Sequence, residues 1–327
     1  MDFLSRARIP FVEDSVISPT TQSVIAETFV WAALFTIYAQ IGNRLFRALY
    51  RHTPIWKEAH KVVGVFLGNG RDDAVLFTIF GLHHGLAAYL MHRGMVTTNP
   101  TLWRHGYLLE VGFEVADLFA MAMQIYPYNK FEGFKQKLKP ALLAHHVPGI
   151  TLSYIILCQS DLYQNVHLEA IVFYLLAGGF ISNAFGVYTY TLDYSTQMIQ
   201  AAVLYNANVM YFLYCRHYKF PTEAYLLVQD AQVDPQLQGT VSLYILYAAG
   251  VFMTIFNIGI LGDVLPKCSR YIRRAMDGTT PIDIEPVPSS RDSMIQKDAM
   301  ARLKDRRRSS AVMFLSPDLI DRVGRFD

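Results

Sequence analysis

Seven stretches of this chain, at residues 24–43, 74–93, 107–126, 141–159, 167–190, 198–216 and 240–262, each run for about twenty mostly apolar residues. The hydrocarbon core of a bilayer is about 30 Å thick and a helix rises about 1.5 Å per residue, so each stretch is long enough to span it. Hydrocarbon offers no water to satisfy backbone amides, which leaves the helix as the form such segments take. The expected fold class is therefore an all-α integral membrane protein, a bundle of about seven transmembrane helices. Composition agrees, with 52% hydrophobic and 17% charged residues in 327. Tyrosines gather near the ends of several apolar runs, where interfacial anchoring calls for them.

The organisation expected is an outside or lumenal segment at 1–23, a bundle at 24–262 and a basic, mostly disordered cytoplasmic tail at 263–327. Residues 1–14 hold no apolar core of useful length, so the first span is expected to act as the insertion signal. Basic residues in short loops favour the cytoplasm. Arg44, Arg47, Arg51, Lys57, Lys61 and Arg71 follow the first span, Lys130, Lys135, Lys137 and Lys139 follow the third, and Lys267, Arg270, Arg273 and Arg274 open the tail. Seven spans put all three groups on one side and the N-terminus on the other. The connection Thr191 to Gln197 belongs to the basic side yet carries no Lys or Arg. Three cysteines give no disulfide framework. In the tail, Arg306-Arg307-Arg308-Ser309-Ser310 reads either as a basophilic-kinase site or as a solvated charge run.

Ionisable side chains in hydrocarbon are costly and face a protein interior or wet cavity. Glu110, Glu114 and Asp117 fall at i, i+4 and i+7 of the third stretch and so share one helix face. His145 and His146 open the fourth stretch, ahead of Pro148-Gly149, where a kink is expected; His83 and His84 lie in the second. Counting about 1.5 Å per residue places Asp117 and both histidine pairs in the cytoplasmic half of one cavity. Histidine is the natural acid–base group near neutral pH, and Asp117 can orient an imidazole and hold its proton. Neighbouring helical positions point about 100° apart, so the two rings of a pair are not expected to aim at one point. The other reading of the same residues is an interhelical hydrogen-bond network that fixes packing. Glu110 reads as interfacial. No HxxHH or HxxxH box is present, so the expected metal set is none.

Ala144-His145-His146-Val147, the earlier Gly112-Phe113-Glu114-Val115-Ala116-Asp117-Leu118 and the still earlier Phe80-Gly81-Leu82-His83-His84-Gly85 resemble, in order and spacing, segments of the TLC (TRAM/Lag-type) domain family. Leu168-Glu169 through Ile181-Ser182-Asn183, and Asn206 to Arg216, are similar to its later core helices, so the resemblance covers residues 24–220. It implies a multi-pass protein of endomembranes, the endoplasmic reticulum above all, acting in lipid metabolism, sensing or trafficking. In the ceramide-synthase-like branch, His145, His146 and Asp117 would be catalytic in acyl transfer, with His83, His84, Glu114, Asn183 and Asn206 around the lipid. Acyl-CoA would be a co-substrate with no bound cofactor, and the partners would be membrane lipids rather than nucleic acid. Leu152-Ser153-Tyr154 fits that branch and Cys158-Gln159-Ser160-Asp161 departs from it. A seven-helix receptor or channel and a non-catalytic lipid-binding scaffold stay open, although neither a DRY-like pair nor an NPxxY-like turn is present.

Overall fold

The structure, a computed structural model, describes residues 21–61, 67, 69–130, 138–159, 162 and 165–277. The N-terminal segment, most of the tail and Ser309/Ser310 lie outside the described residues. Among those described, all regular structure is helical. The helices are α1 (Thr21–Tyr50), short α2 (Pro54–Ala59), α3 (Gly70–Val96), α4 (Pro100–Met123), α5 (Leu138–Gln159), α6 (Val166–Thr189), α7 (Met198–Leu213), α8 (Phe220–Val233) and α9 (Val241–Asp277). A π-helical turn, Tyr214–Lys219, joins α7 to α8 without a break.

Each of the seven apolar stretches is occupied by a helix. Four helical segments are long and apolar enough to cross a membrane: Thr21–Tyr50, Gly70–Val96, Val166–Thr189 and Val241–Gly262. The other three fall short for visible reasons. α4 carries the three site acids and Arg104, the apolar part of α5 is only Leu142–Cys158, and α7 has 16 residues before the π turn. Two expectations about helix ends are corrected. The helix beginning at Met198 continues as α8 to Val233, and α9 passes the expected end at 262 to reach Asp277. Across Pro148-Gly149, α5 also remains one helix; the proline removes one amide donor without ending it.

Local chemistry sets several starts and stops. The Asn69, Asn99 and Asn165 side chains accept amides in the first turns of α3, α4 and α6, each such cap contributing about 1 kcal/mol. Pro100 takes the first position of α4, where no amide is needed. Gln124, in the left-handed region at φ 53°, closes that helix.

Helix neighbours form a closed circuit, α3 to α4 to α5 to α9, then α7 and α8, then α6 and back to α3. α1 packs outside this ring, against α4 and α3. Its buried face holds Glu27, Thr28, Ala32, Phe35 and Ala39, while Phe29, Leu34, Ile37, Ile41 and Leu45 are exposed. Polar residues inside and large apolar residues outside are the pattern of a helix whose solvent is hydrocarbon. Arg104 of α4 pairs with the buried Glu27 and bonds Ser23 at 3.0 Å, tying α1 to the ring.

Three connections meet at one end of the bundle. Arg47 pairs with Asp72, and Tyr126 lies within electrostatic reach of both. Asp193 lies near Lys61, while Tyr271 stacks on Tyr205 and contacts Tyr194. The basic connections and the Thr191 to Gln197 turn, which has no Lys or Arg, are thus at the same end. Hydrogen bonds from Leu67, Asn69 and Tyr190 stabilise this end around Asp72 and Asp73.

Candidate functional site

Inside the ring, α3, α4 and α5 bring their ionisable residues together. The Glu110 Oε2 atom lies 3.1 Å from His83 Nε2 and 3.1 Å from His84 Nδ1. Glu110 is therefore a bridge between adjacent histidines, which corrects its reading as an interfacial residue. The signal was its place one turn before Glu114 on the acidic face of the helix.

A second set lies beside the first. His146 Nε2 is 2.9 Å from Asp117 Oδ2, and the Tyr128 hydroxyl donates to the same carboxylate oxygen. His146 and Asp117 are each 3% exposed, so water does not compete for this bond. A neutral His146 that donates from Nε2 to Asp117 keeps its lone pair on Nδ1. That Nδ1 is buried and has no hydrogen-bond partner among the described residues, and the same holds for His145 Nδ1.

Glu114 completes the set. It is buried, and its carboxylate lies over Gly149, one turn beyond His145 on α5. One ligand-type atom from each of Glu114, His145 and His146 lies within 4.8 Å of the others. The same is true of His83, His84 and Glu110. Adjacent rings on α5 do diverge, with centroids 5.3 Å apart and planes at 49°. They still share a focus, because Glu114 reaches across from the neighbouring helix.

Aromatic rings fix these orientations. Phe113 stands between the two sets, its centroid 4.9 Å from His83, 5.5 Å from His84 and 5.8 Å from His146. Phe256 of α9 stacks on His145 at 5.1 Å with planes 9° apart. On the far side, the π turn carries Arg216, which donates to Asn257 at 3.1 Å and lies within electrostatic reach of Glu110 and His145. Phe113, Phe256, Arg216 and Tyr128 were not singled out for this centre from the sequence. A π turn is a local feature often found at functional sites, and no residue pattern here announces it.

The two asparagines expected at the lipid are engaged in helix packing. Asn183 Nδ2 donates to Gly179 O at 2.8 Å, and its Cβ would lie 3.1 Å from one added to Gly81. Asn206 donates to Ala202 O at 2.7 Å and accepts from Cys268 at 2.6 Å. Neither bonds a histidine of the centre. All three cysteines are free. A cleft of about 630 Å³ at the basic end, lined by Arg51, His52, Trp56, Lys57, Glu58 and Asp193 among others, includes no residue of the histidine centre.

Against known proteins, the chain matches no protein-family model, no curated protein and no solved structure.

Chemically, the centre offers an unpartnered nitrogen on an oriented imidazole, two further carboxylates and a half-buried cation in a ring of helices. Such a group takes a proton from a substrate or binds an electrophile. Fixed charges in a site closed to water act more strongly than they would in bulk solvent.

Proposed function

We propose that this chain is a multi-pass endomembrane protein of lipid metabolism that works on a lipid inside the helical ring, at the centre formed by Asp117, His145 and His146. The single observation that carries this reading is the Tyr128–Asp117–His146 chain of hydrogen bonds, which leaves a partnerless His146 Nδ1 buried in the centre. Holding an imidazole with a carboxylate in this way prepares it to receive a proton. The exposed apolar faces around the ring support a substrate that arrives from hydrocarbon.

In this reading all seven apolar helices cross the bilayer. The charged α4 keeps Glu114 and Asp117 buried against its neighbours, which is where membrane proteins keep ionisable residues. The basic end of the bundle faces the cytoplasm, with the N-terminus lumenal. The likeness of the residues around His83, Asp117 and His145 to the TLC family supports the endoplasmic reticulum and acyl transfer from acyl-CoA to a sphingoid-type amine. Attack of that amine on the thioester forms the amide, the thiolate leaves, and the proton lost by the amine passes to the centre.

A second reading, a lipid-binding scaffold without catalysis, is favoured by the Glu110 bridge, since hydrogen bonds to both histidines are what a packing network requires.

The test compares membranes bearing the natural chain, Asp117→Asn, and His145→Ala with His146→Ala, at matched expression. Labelled acyl-CoA is supplied and the whole lipid profile is read. The reading expects one acyl-lipid class to rise with the natural chain and with neither variant. No lipid change in any arm overturns it, and equal change in all three favours the scaffold.

A further inference from the structure

We propose that Glu114, His145 and His146 bind a divalent first-row transition metal ion, so that the buried centre is a metal site with an open coordination position. The proposal deepens the lipid reading and rests on it for the substrate. What it changes is the group that handles the proton, which becomes water or substrate on the metal rather than a free imidazole.

The donor set is the first argument. Two imidazoles and one carboxylate, a set of three ligands that leaves a coordination position unfilled, is a combination used by catalytic zinc sites and by ferrous facial triads. Bonds of about 2.1 Å hold tetrahedral ligand atoms about 3.4 Å apart. The three ligand-type atoms here lie within 4.8 Å of one another, so a bound ion would draw them closer.

The unpartnered nitrogens are the second. A buried polar atom left without a hydrogen bond is unfavourable, and among the described residues this centre has two, His145 Nδ1 and His146 Nδ1. A metal ion satisfies a ring nitrogen that carries a lone pair, and a neutral His146 that donates from Nε2 to Asp117 has such a nitrogen at Nδ1.

Support around the ligands is the third. Metal-binding histidines commonly donate their other ring N–H to a carboxylate, which orients the ring and raises its basicity. Asp117 does this for His146 and is itself held by Tyr128. Phe256 fixes the plane of His145, and Gly149 leaves the space that the Glu114 carboxylate fills. The other cluster, His83, His84 and Glu110, has both histidines already bonded to its own acid, so it makes the weaker claim on an ion.

The test uses the full chain purified in detergent, stripped with a chelator and offered Zn²⁺ or, under anaerobic conditions, Fe²⁺. Bound metal per chain is measured by elemental analysis, and Co²⁺ is added separately to read its visible absorption. The expected result is about one ion per chain, with affinity falling about 10–100-fold in Asp117→Asn, a loss typical of removing such a supporting carboxylate. Glu114→Gln, close in shape, should lose binding while keeping its helical circular dichroism and its elution volume. Whichever ion is retained more tightly decides between zinc and iron. No binding above the Glu114→Gln background overturns the proposal. So does binding that survives Glu114→Gln but is lost in Glu110→Gln, which assigns the ion to the other cluster. Metal bound without any lipid turnover overturns the lipid reading and leaves this one standing. Turnover by a fully stripped chain overturns the working role of the metal and leaves the lipid reading standing.

Discussion

Glu114 and Gly149 face each other across two helices so closely that a Cβ on Gly149 would stand 2.6 Å from both Glu114 carboxylate oxygens. The acid sits in the centre because α5 offers it a residue without a side chain. Alanine is the better helix former by about 0.5–1 kcal/mol, so Gly149→Ala has no local reason to unfold α5. The expected outcome is a helical, monodisperse protein whose Glu114 is displaced and whose zinc affinity falls at least about tenfold, a free-energy loss of about 1.4 kcal/mol. Titration calorimetry on the stripped protein checks it, and an unchanged affinity removes Glu114 from the ligand set.

The Glu27–Arg104 pair should matter more to stability than to chemistry. Glu27 is 2% exposed and Arg104 13%, and the pair joins α1 to α4 at the end away from Asp72. Removing one partner of a buried pair typically costs about 3–5 kcal/mol. Glu27→Ala is expected to lower the midpoint of thermal unfolding in detergent, and Glu27→Leu combined with Arg104→Leu to recover much of the loss. Equal damage from the single and double variants would mean that packing rather than charge holds α1.

Much of this architecture was legible because hydrocarbon imposes a simple pattern. Seven apolar stretches led to helices, and the i, i+4, i+7 spacing of Glu110, Glu114 and Asp117 did bring them onto one face that meets His83 and His146. What pairing each acid would make was not legible. Position along α4 suggested an interface for Glu110, but its partners come from α3, and helix spacing says nothing about which neighbour a face meets. Asn183 and Asn206 were read as cavity residues by resemblance, and both bond within their own helix because an amide in an apolar setting takes the nearest carbonyl. The role of Gly149 depends on a contact between helices that its own neighbours in sequence do not reveal.

The turn at Asp193 predicts a response to pH. Its Oδ1 accepts the Ser195 amide at 3.0 Å and the Ser195 hydroxyl at 2.6 Å, and these bonds hold its pKa below the usual 3.8, with help from nearby Lys61. A carboxyl whose folded pKa is lowered adds stability that is complete above the unfolded value and is lost as pH falls through the folded one. The turn before α7 should therefore stay protected from pepsin-type cleavage above about pH 4 and open only at more acid pH. Asp193→Asn, which cannot ionise, should show cleavage at this turn that changes less with pH. Mass spectrometry of the fragments reads both, and identical pH profiles would show that the ionised carboxylate does not hold the turn.

Close packing of α3 on α6 gives the last test, and it links stability to the centre. A Cβ at Gly179 would lie 2.8 Å from His84 Cδ2, and one at Gly85 would lie 2.8 Å from the Phe180 ring. Small residues let membrane helices approach this closely, and filling the gap typically costs about 1–3 kcal/mol. Gly250 of α9 has nothing within 4 Å of its Cβ position and serves as the control. Gly179→Ala should lower the thermal midpoint and, by pushing His84, lengthen its 3.1 Å bond to Glu110. Gly250→Ala should leave the midpoint unchanged or raise it slightly, since it only improves helix propensity. Thermal unfolding of the two variants separates the cases. If both behave alike, α3 and α6 are not packed at the distance that aims His84 at Glu110, and the bridge between the two histidines loses its support.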